Sequence, residues 1–363
     1  MKFHFQVAVF ATIVFSGNVL AENNSTIIAQ NGWGNIASSD QTNLTISGNT
    51  TTLTQSGNNN SVNALQINGS SDNTIKSMQT GAGNTITAIE QNGSKESSIT
   101  IQQIGKSNLT KIIQKGTVSS SISLTQSGTG NRSTNTQMNS SADSGSVTQQ
   151  GISNLGAFTQ SSTENNSIVI FQDGELNVAR GIQKNQTASN VTVAQEGISN
   201  LVGFGQVTGS GNTITINQEG NFNSAKTSQI STSDSTATIN QVGLSNSAEI
   251  EQKLLSHSVA EINQVGVANI TTLSQAGSYL KASMHQDGSE NSLRVIQIGN
   301  LHSVTASQVG TLNTARVHQT GSSNIVMAVQ KGTSNALNIS QASAGNSVVA
   351  SQTGIGNVIV VTQ

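Results

Sequence analysis

The sequence has no proline and no cysteine, and only 9% of its 363 residues are charged and 3% aromatic. Each shortage excludes something. Without cysteine there is no disulfide framework and no thiolate metal site. The length would allow two or three ordinary domains, but the polar composition argues against ordinary globular cores. Disorder normally accompanies proline and high net charge, whereas the formal net charge here is −2. That balance also gives no electrostatic case for nucleic acid or an anionic membrane as partner. Gly, Asn, Gln, Ser and Thr dominate instead. A polar, weakly charged chain that is not disordered calls for a search for repeats.

The first residues read as a secretory signal peptide. Lys2 precedes an apolar run from Phe5 to Phe15, and Val19 and Ala21 stand at −3 and −1 of a cleavage site. The run is too short to span a bilayer. The sequence thus predicts a signal peptide at 1–21, a short stub at 22–29 and a repeat region at 30–363.

Glutamine marks the repeat. Gln103, Gly105, Asn108 and Gln114 recur as Gln126, Gly128, Asn131 and Gln137, and the same spacing returns fifteen times, from Gln30 to Gln363. Only the copy at Gln79 is defective, its second glutamine coming one residue late at Gln91. Copies stand 23 residues apart from Gln103 to Gln264 and 22 apart from Gln264 to Gln352. The later copies lose one residue in their second connection, so each repeat is two half-units of about eleven residues.

Between the connections apolar residues alternate: Ile168 and Ile170 before Gln172, Val191 and Val193 before Gln195, Ala237 and Ile239 before Gln241. Period two means strand, with the alternating positions on one face. Glycine-containing connections of about four residues suit tight arcs. One such strand cannot bury its narrow apolar face. Two strands folded face to face and stacked on their neighbours can. The prediction is an all-β fold: a flattened, two-sided, amyloid-like β-solenoid of about fifteen strand-arc-strand turns. At ~4.8 Å per strand these would rise about 70 Å. Roughly four buried apolar side chains per turn give about 6–10 kcal/mol of gross burial before entropy.

The amides fall on the inward face beside the arcs. A buried amide without a partner costs ~1–3 kcal/mol, but equal height in every turn lets each donate and accept in a ladder. The candidate ladder and self-assembly residues include Gln30, Asn35 and Gln41, then Gln103, Asn108 and Gln114. Gln172, Asn177 and Gln183 follow, then Gln264, Asn269 and Gln275, and finally Gln352, Asn357 and Gln363. The arc glycines include Gly32, Gly105, Gly174, Gly266 and Gly354.

No reactive constellation stands out. His257, His285, His302 and His318 share no repeat position, so they predict surface histidines and no metal ladder. Glu249 and Glu251 read as solvated carboxylates. There is no nucleophile elbow, P-loop or dinucleotide fingerprint in context. The expectation is no enzyme, cofactor or metal. Asp173, Glu196, Glu219, Asp287 and Lys331 each follow a ladder glutamine, where a charge can act as a gatekeeper against aggregation.

The repeated Gln-x-Gly-x-x-Asn-x5-Gln motif resembles the curlin repeat over about Asn24 to Gln363. The resemblance implies a fibre-forming subunit of curli, the amyloid fibres of Gram-negative cell surfaces. It implies secretion, a homopolymer in the biofilm matrix, and a role in aggregation and adhesion. It also implies partners: a nucleating minor subunit, an outer-membrane secretion pore and a periplasmic chaperone. Familiar curlins have fewer repeats and a glycine-rich segment before them, which 22–29 does not supply. Two rivals are a monomeric β-solenoid adhesin and an ice-binding solenoid. The second would need aligned outward threonines in every turn.

Overall fold

A computed structural model describes residues 23–41 and 46–363; the signal-peptide reading of 1–21 lies outside them. The chain divides into two compact units, Met1–Asn165 and Asn166–Gln363. Among the described residues the first contains twelve strands, from Ser25–Asn31 to Leu155–Ser161, and the second eighteen, from Ser167–Glu175 to Val358–Thr362. In each unit successive strands alternate between two parallel sheets, here sheets A and B. The units hold six and nine turns, so the fold is the all-β solenoid of about fifteen turns that the repeats predict. The first strand already begins at Ser25, within the segment read as a stub.

Stacking is in register. Ile239 lies on Ile262, Gln241 on Gln264 and Gly243 on Gly266. Inward positions are buried and outward ones open, as in Thr236–Leu244, where Ala237, Ile239 and Gln241 are enclosed. The copy with the late glutamine joins the stack through a bulge between Ile86 and Ala88, which returns Gln91 to register with Gln114.

Each first arc reverses the chain with two positive φ angles. In one turn these are Gly266 at 113° and Ala268 at 54°. The second connection is deeper in the earlier turns. Ser94, Thr117 and Ser140 in the first unit, and Gln186, Thr232 and Leu255 in the second, bury an additional inward side chain there. This residue is lost when the period falls to 22, and the register of Ser247–Ser256 with Ile270–Ser278 shifts between Lys253 and Ser256. Core volume is balanced locally. A Cβ on Gly145 would lie 2.1 Å from Phe158 Cζ, and one on Gly181 would lie 2.1 Å from Phe204 Cδ2. Each buried phenylalanine therefore occupies space that a glycine vacates.

Candidate assembly site

The ladder glutamines run in continuous columns within each unit. Gln103 Nε2 donates to Gln126 Oε1 at 2.8 Å, and Gln114 Nε2 to Gln137 Oε1 at 2.8 Å. In the second unit Gln172 donates to Gln195 at 2.8 Å, Gln183 to Gln206 at 2.7 Å, Gln264 to Gln286 at 2.8 Å and Gln275 to Gln297 at 2.8 Å. The direction is constant: Nε2 of one turn donates to Oε1 of the next. A second bond uses the remaining N–H. Gln264 Nε2 also donates to Ser247 O at 3.0 Å, and Gln114 Nε2 to Ser120 O at 3.2 Å. The columns thus fix the stacking distance and tie each strand end to neighbouring backbone. Both amide hydrogens are satisfied, which makes burial of the amide tolerable.

The asparagines work differently from the simple amide ladder expected. Asn108 Oδ1 accepts from the backbone N–H of Asn131 at 3.0 Å, and Asn108 Nδ2 donates to Gly128 O at 3.2 Å. Asn177 Nδ2 donates to Gly197 O at 2.9 Å, and Asn269 Nδ2 to Gly288 O at 3.0 Å. Amide-to-amide contacts accompany these, as from Asn269 Nδ2 to Asn246 Oδ1 at 3.2 Å. Each asparagine is chiefly a clamp between its own arc and the backbone of the next.

The arc glycines form a third column. A Cβ on Gly105 would sit 2.1 Å from Gly128 O, on Gly174 2.1 Å from Gly197 O, and on Gly32 1.9 Å from Gly57 O. Neighbouring arcs approach so closely that no side chain can intervene, and their φ near 115° disfavours one as well.

The terminal turns are built alike but differ in exposure. Gln30 Nε2 donates to Gln55 Oε1 and Gln41 Nε2 to Gln66 Oε1, both at 2.6 Å. Asn35 Oδ1 accepts from the N–H of Asn60 at 3.0 Å. Ile28 and Ala37, which would be enclosed in an inner turn, are half-buried. At the other end Gln352 accepts from Gln330 at 2.8 Å, Gln363 accepts from Gln341 at 3.2 Å, and Asn357 takes its place above Asn335. There Ile359 and Val361 are half-buried and Val358 and Val360 are exposed. The first turn thus presents the acceptor side of both glutamine columns and the last turn the donor side. A Cβ on Gly354 would meet only Asn357 Nδ2, at 3.4 Å.

The histidine expectation needs one correction. His257, His285 and His318 are exposed, but His302 is buried at 1% exposure. It holds the position six residues before Gln308 that Asn or Ser fills in most copies. The spacing therefore marked it. Its Nδ1 accepts from the N–H of Asn324 at 3.2 Å, so Nε2, 3.0 Å from Ile298 O, carries the proton and donates. His302→Asn should keep the monomer's urea stability within about 1 kcal/mol, whereas His302→Leu should cost ~1–3 kcal/mol by orphaning that N–H. Equal midpoints for the two variants would show that Asn324 finds another acceptor. The carboxylates at Glu249 and Glu251 are also not merely solvated. Lys226 lies 2.8 Å from Glu249 and Lys253 2.5 Å from Glu251. The hydrogen bond and charge of Glu249 raise the Lys226 pKa. Among the described residues no group of three or more His, Cys, Asp or Glu could hold a metal ion, and no helix is long and apolar enough to cross a membrane.

The model of the curlin associated repeat matches residues 187–220, 209–253, 288–321 and 302–332. These matches support assignment to the curlin family, whose repeat and fold are structural rather than catalytic. No curated protein matches the chain.

Proposed function

From the curlin-family assignment as premise, we propose that this chain is a secreted structural subunit that adds end to end into extracellular, amyloid-type fibres. The observation that carries the reading is the complementarity of the terminal turns. The last turn presents Gln352 and Gln363 as donors with half-buried Ile359 and Val361 between sheet ends. The first presents Gln30 and Gln41 as acceptors with half-buried Ile28 and Ala37. A second copy set on the last turn would continue the columns, the clamps and the backbone ladders with the contacts already made inside each unit. Because glutamine columns and parallel strands both have a direction, the fibre is polar and every junction is the same heterologous contact.

Biofilm matrix, cell aggregation and surface adhesion are the roles such a fibre serves. Its partners in this reading are further copies of itself, a nucleating minor subunit, a secretion pore and a periplasmic chaperone. The test is incubation of purified 22–363 with a thioflavin dye, followed by electron microscopy. Dye-positive filaments with strands perpendicular to the axis are expected. A population that stays monomeric would favour a β-solenoid adhesin acting singly.

A further inference from the structure

The two outward faces of the nine-turn unit carry opposite charge. On sheet A its strands hold six carboxylates, Asp173, Glu175, Glu196, Glu219, Glu261 and Asp287, against Lys281 and Lys331. On sheet B they hold six cations, Arg180, Lys184, Lys226, Lys253, Arg294 and Arg316, against Glu249 and Glu251. The excess is four negative charges on one face and four positive on the other. The six-turn unit has no such division: Lys76 and Lys106 lie on sheet A, and both signs mix on sheet B.

The excess charges are not neutralised within the unit. Its salt bridges are Lys226–Glu249, Lys253–Glu251 and His257–Asp234, none of which involves a sheet A residue. Among the described residues, the sheet A carboxylates and Arg180, Lys184, Arg294 and Arg316 stand outside any salt bridge. Some are also stacked against like charges. Asp173, Glu196 and Glu219 are register partners in successive turns, as are Arg294 and Arg316. At ~4.8 Å spacing, columns of one sign destabilise the sheet that bears them. An opposing column at the same spacing relieves both, and Arg can meet carboxylates two bonds at a time.

We infer that a second copy of this chain docks its basic sheet B face on the acidic sheet A face of the nine-turn unit. The contact joins different surfaces, so it does not close on itself, and copies extend sideways into layers. It concerns the flanks and not the ends, and it operates between soluble copies as well as between filaments. The charges read from sequence as gatekeepers against aggregation, Asp173, Glu196, Glu219 and Asp287, are here its recognition surface.

The test compares the mature chain at about 10 mM and about 1 M sodium chloride, where the screening length falls from about 30 Å to about 3 Å. Side-by-side association is read as filament width by electron microscopy and, for soluble copies, as mass by sedimentation. A drop of about tenfold or more in associated mass is expected at high salt. Arg294→Glu with Arg316→Glu neutralises sheet B, and Glu196→Lys with Glu219→Lys neutralises sheet A. Each double variant alone should lose association about tenfold, while Arg294→Lys with Arg316→Lys keeps it. An equimolar mixture of the two neutralised variants should recover pairs and nothing wider, because each retains one charged face. Width and mass insensitive to salt, or a mixture no more associated than its components, would overturn the inference. Filament length and dye signal report end-to-end growth separately, so failure of that reading is distinguishable.

Discussion

Gly266→Ala should destabilise the soluble chain far more than Gly354→Ala, although the two glycines share nearly the same backbone. Their φ angles are 113° and 118°, where any L side chain is strained. That strain costs about 1–3 kcal/mol at either site. At Gly266 the new Cβ would also lie 2.0 Å from Gly288 O and 2.9 Å from Gly288 C, both backbone atoms held by the next turn. The arcs would have to part, and the Asn269 bond to Gly288 O would part with them. At Gly354 the new Cβ would meet no backbone atom, only Asn357 Nδ2 at 3.4 Å. The cost at Gly266 should therefore exceed that at Gly354 by at least about 2 kcal/mol, in the range reserved for disrupted cores. Urea denaturation of the monomer at low concentration measures the difference. Equal losses would mean that φ alone selects these glycines and that close approach does not.

This column is legible in the sequence because its cause is periodic. A residue that must be glycine in every turn appears as glycine at a fixed offset from Gln103, Gln264 or Gln352. The inward alternation of Val191, Val193 and Gln195 is legible for the same reason: strand period and repeat period together fix the face. What the sequence hides depends on the neighbouring turn and not on the repeat. Gly145 and Gly181 occupy positions that are apolar in most other copies, and only the packing of Phe158 and Phe204 beside them explains the exchange. Ser94, Thr117 and Ser140 read as ordinary connection residues because serine and threonine are equally at home inside and outside a polar arc.

The asparagines show a subtler limit. Their spacing announces a stacked side chain, and Asn335 does contact Asn313 Oδ1 at 3.0 Å. Yet the same Oδ1 takes the Asn335 backbone N–H at 3.1 Å, and Asn335 Nδ2 reaches Gly354 O at 3.0 Å. Spacing identifies which residues align but not whether side chain or backbone is the partner. His302 follows from this. A ring nitrogen can replace Asn Oδ1 as acceptor for the next N–H, so the position tolerates histidine where a true amide ladder would be broken.

Proline at the last strand should abolish fibre growth while leaving the monomer folded. Outward-facing residues send their N–H to the following turn: Ile325 to Asn346 O and Ala336 to Asn357 O, each at 2.8 Å. Val358 is the register partner of Ala336, and Val360 of Asn338. Their N–H groups therefore point away from the strand below, and their exposed side chains leave room for a ring. Val358→Pro with Val360→Pro removes two donors that only another copy could use, at an edge where proline is tolerated. The monomer's urea stability should change by about 1 kcal/mol or less, since no bond within the chain is lost. Elongation should fall by tenfold or more, because an end that lacks donors cannot continue the ladder. The defect is also directional. A variant molecule can still offer its first turn to a wild-type last turn, after which that end is closed. Added in small proportion to wild-type seeds and monomer, it should stop growth at the last-turn end and leave the first-turn end to grow with wild-type copies, so filaments lengthen from one end only, as read by microscopy of labelled seeds. Growth of the pure variant at the wild-type rate would show that the last turn is not the growing surface. Gly354→Ala tests the same junction from the arc side, because its Cβ, which meets no backbone atom in the monomer, would meet the carbonyl of the incoming copy's Gly32 as Gly332 would meet Gly354 O at 2.1 Å.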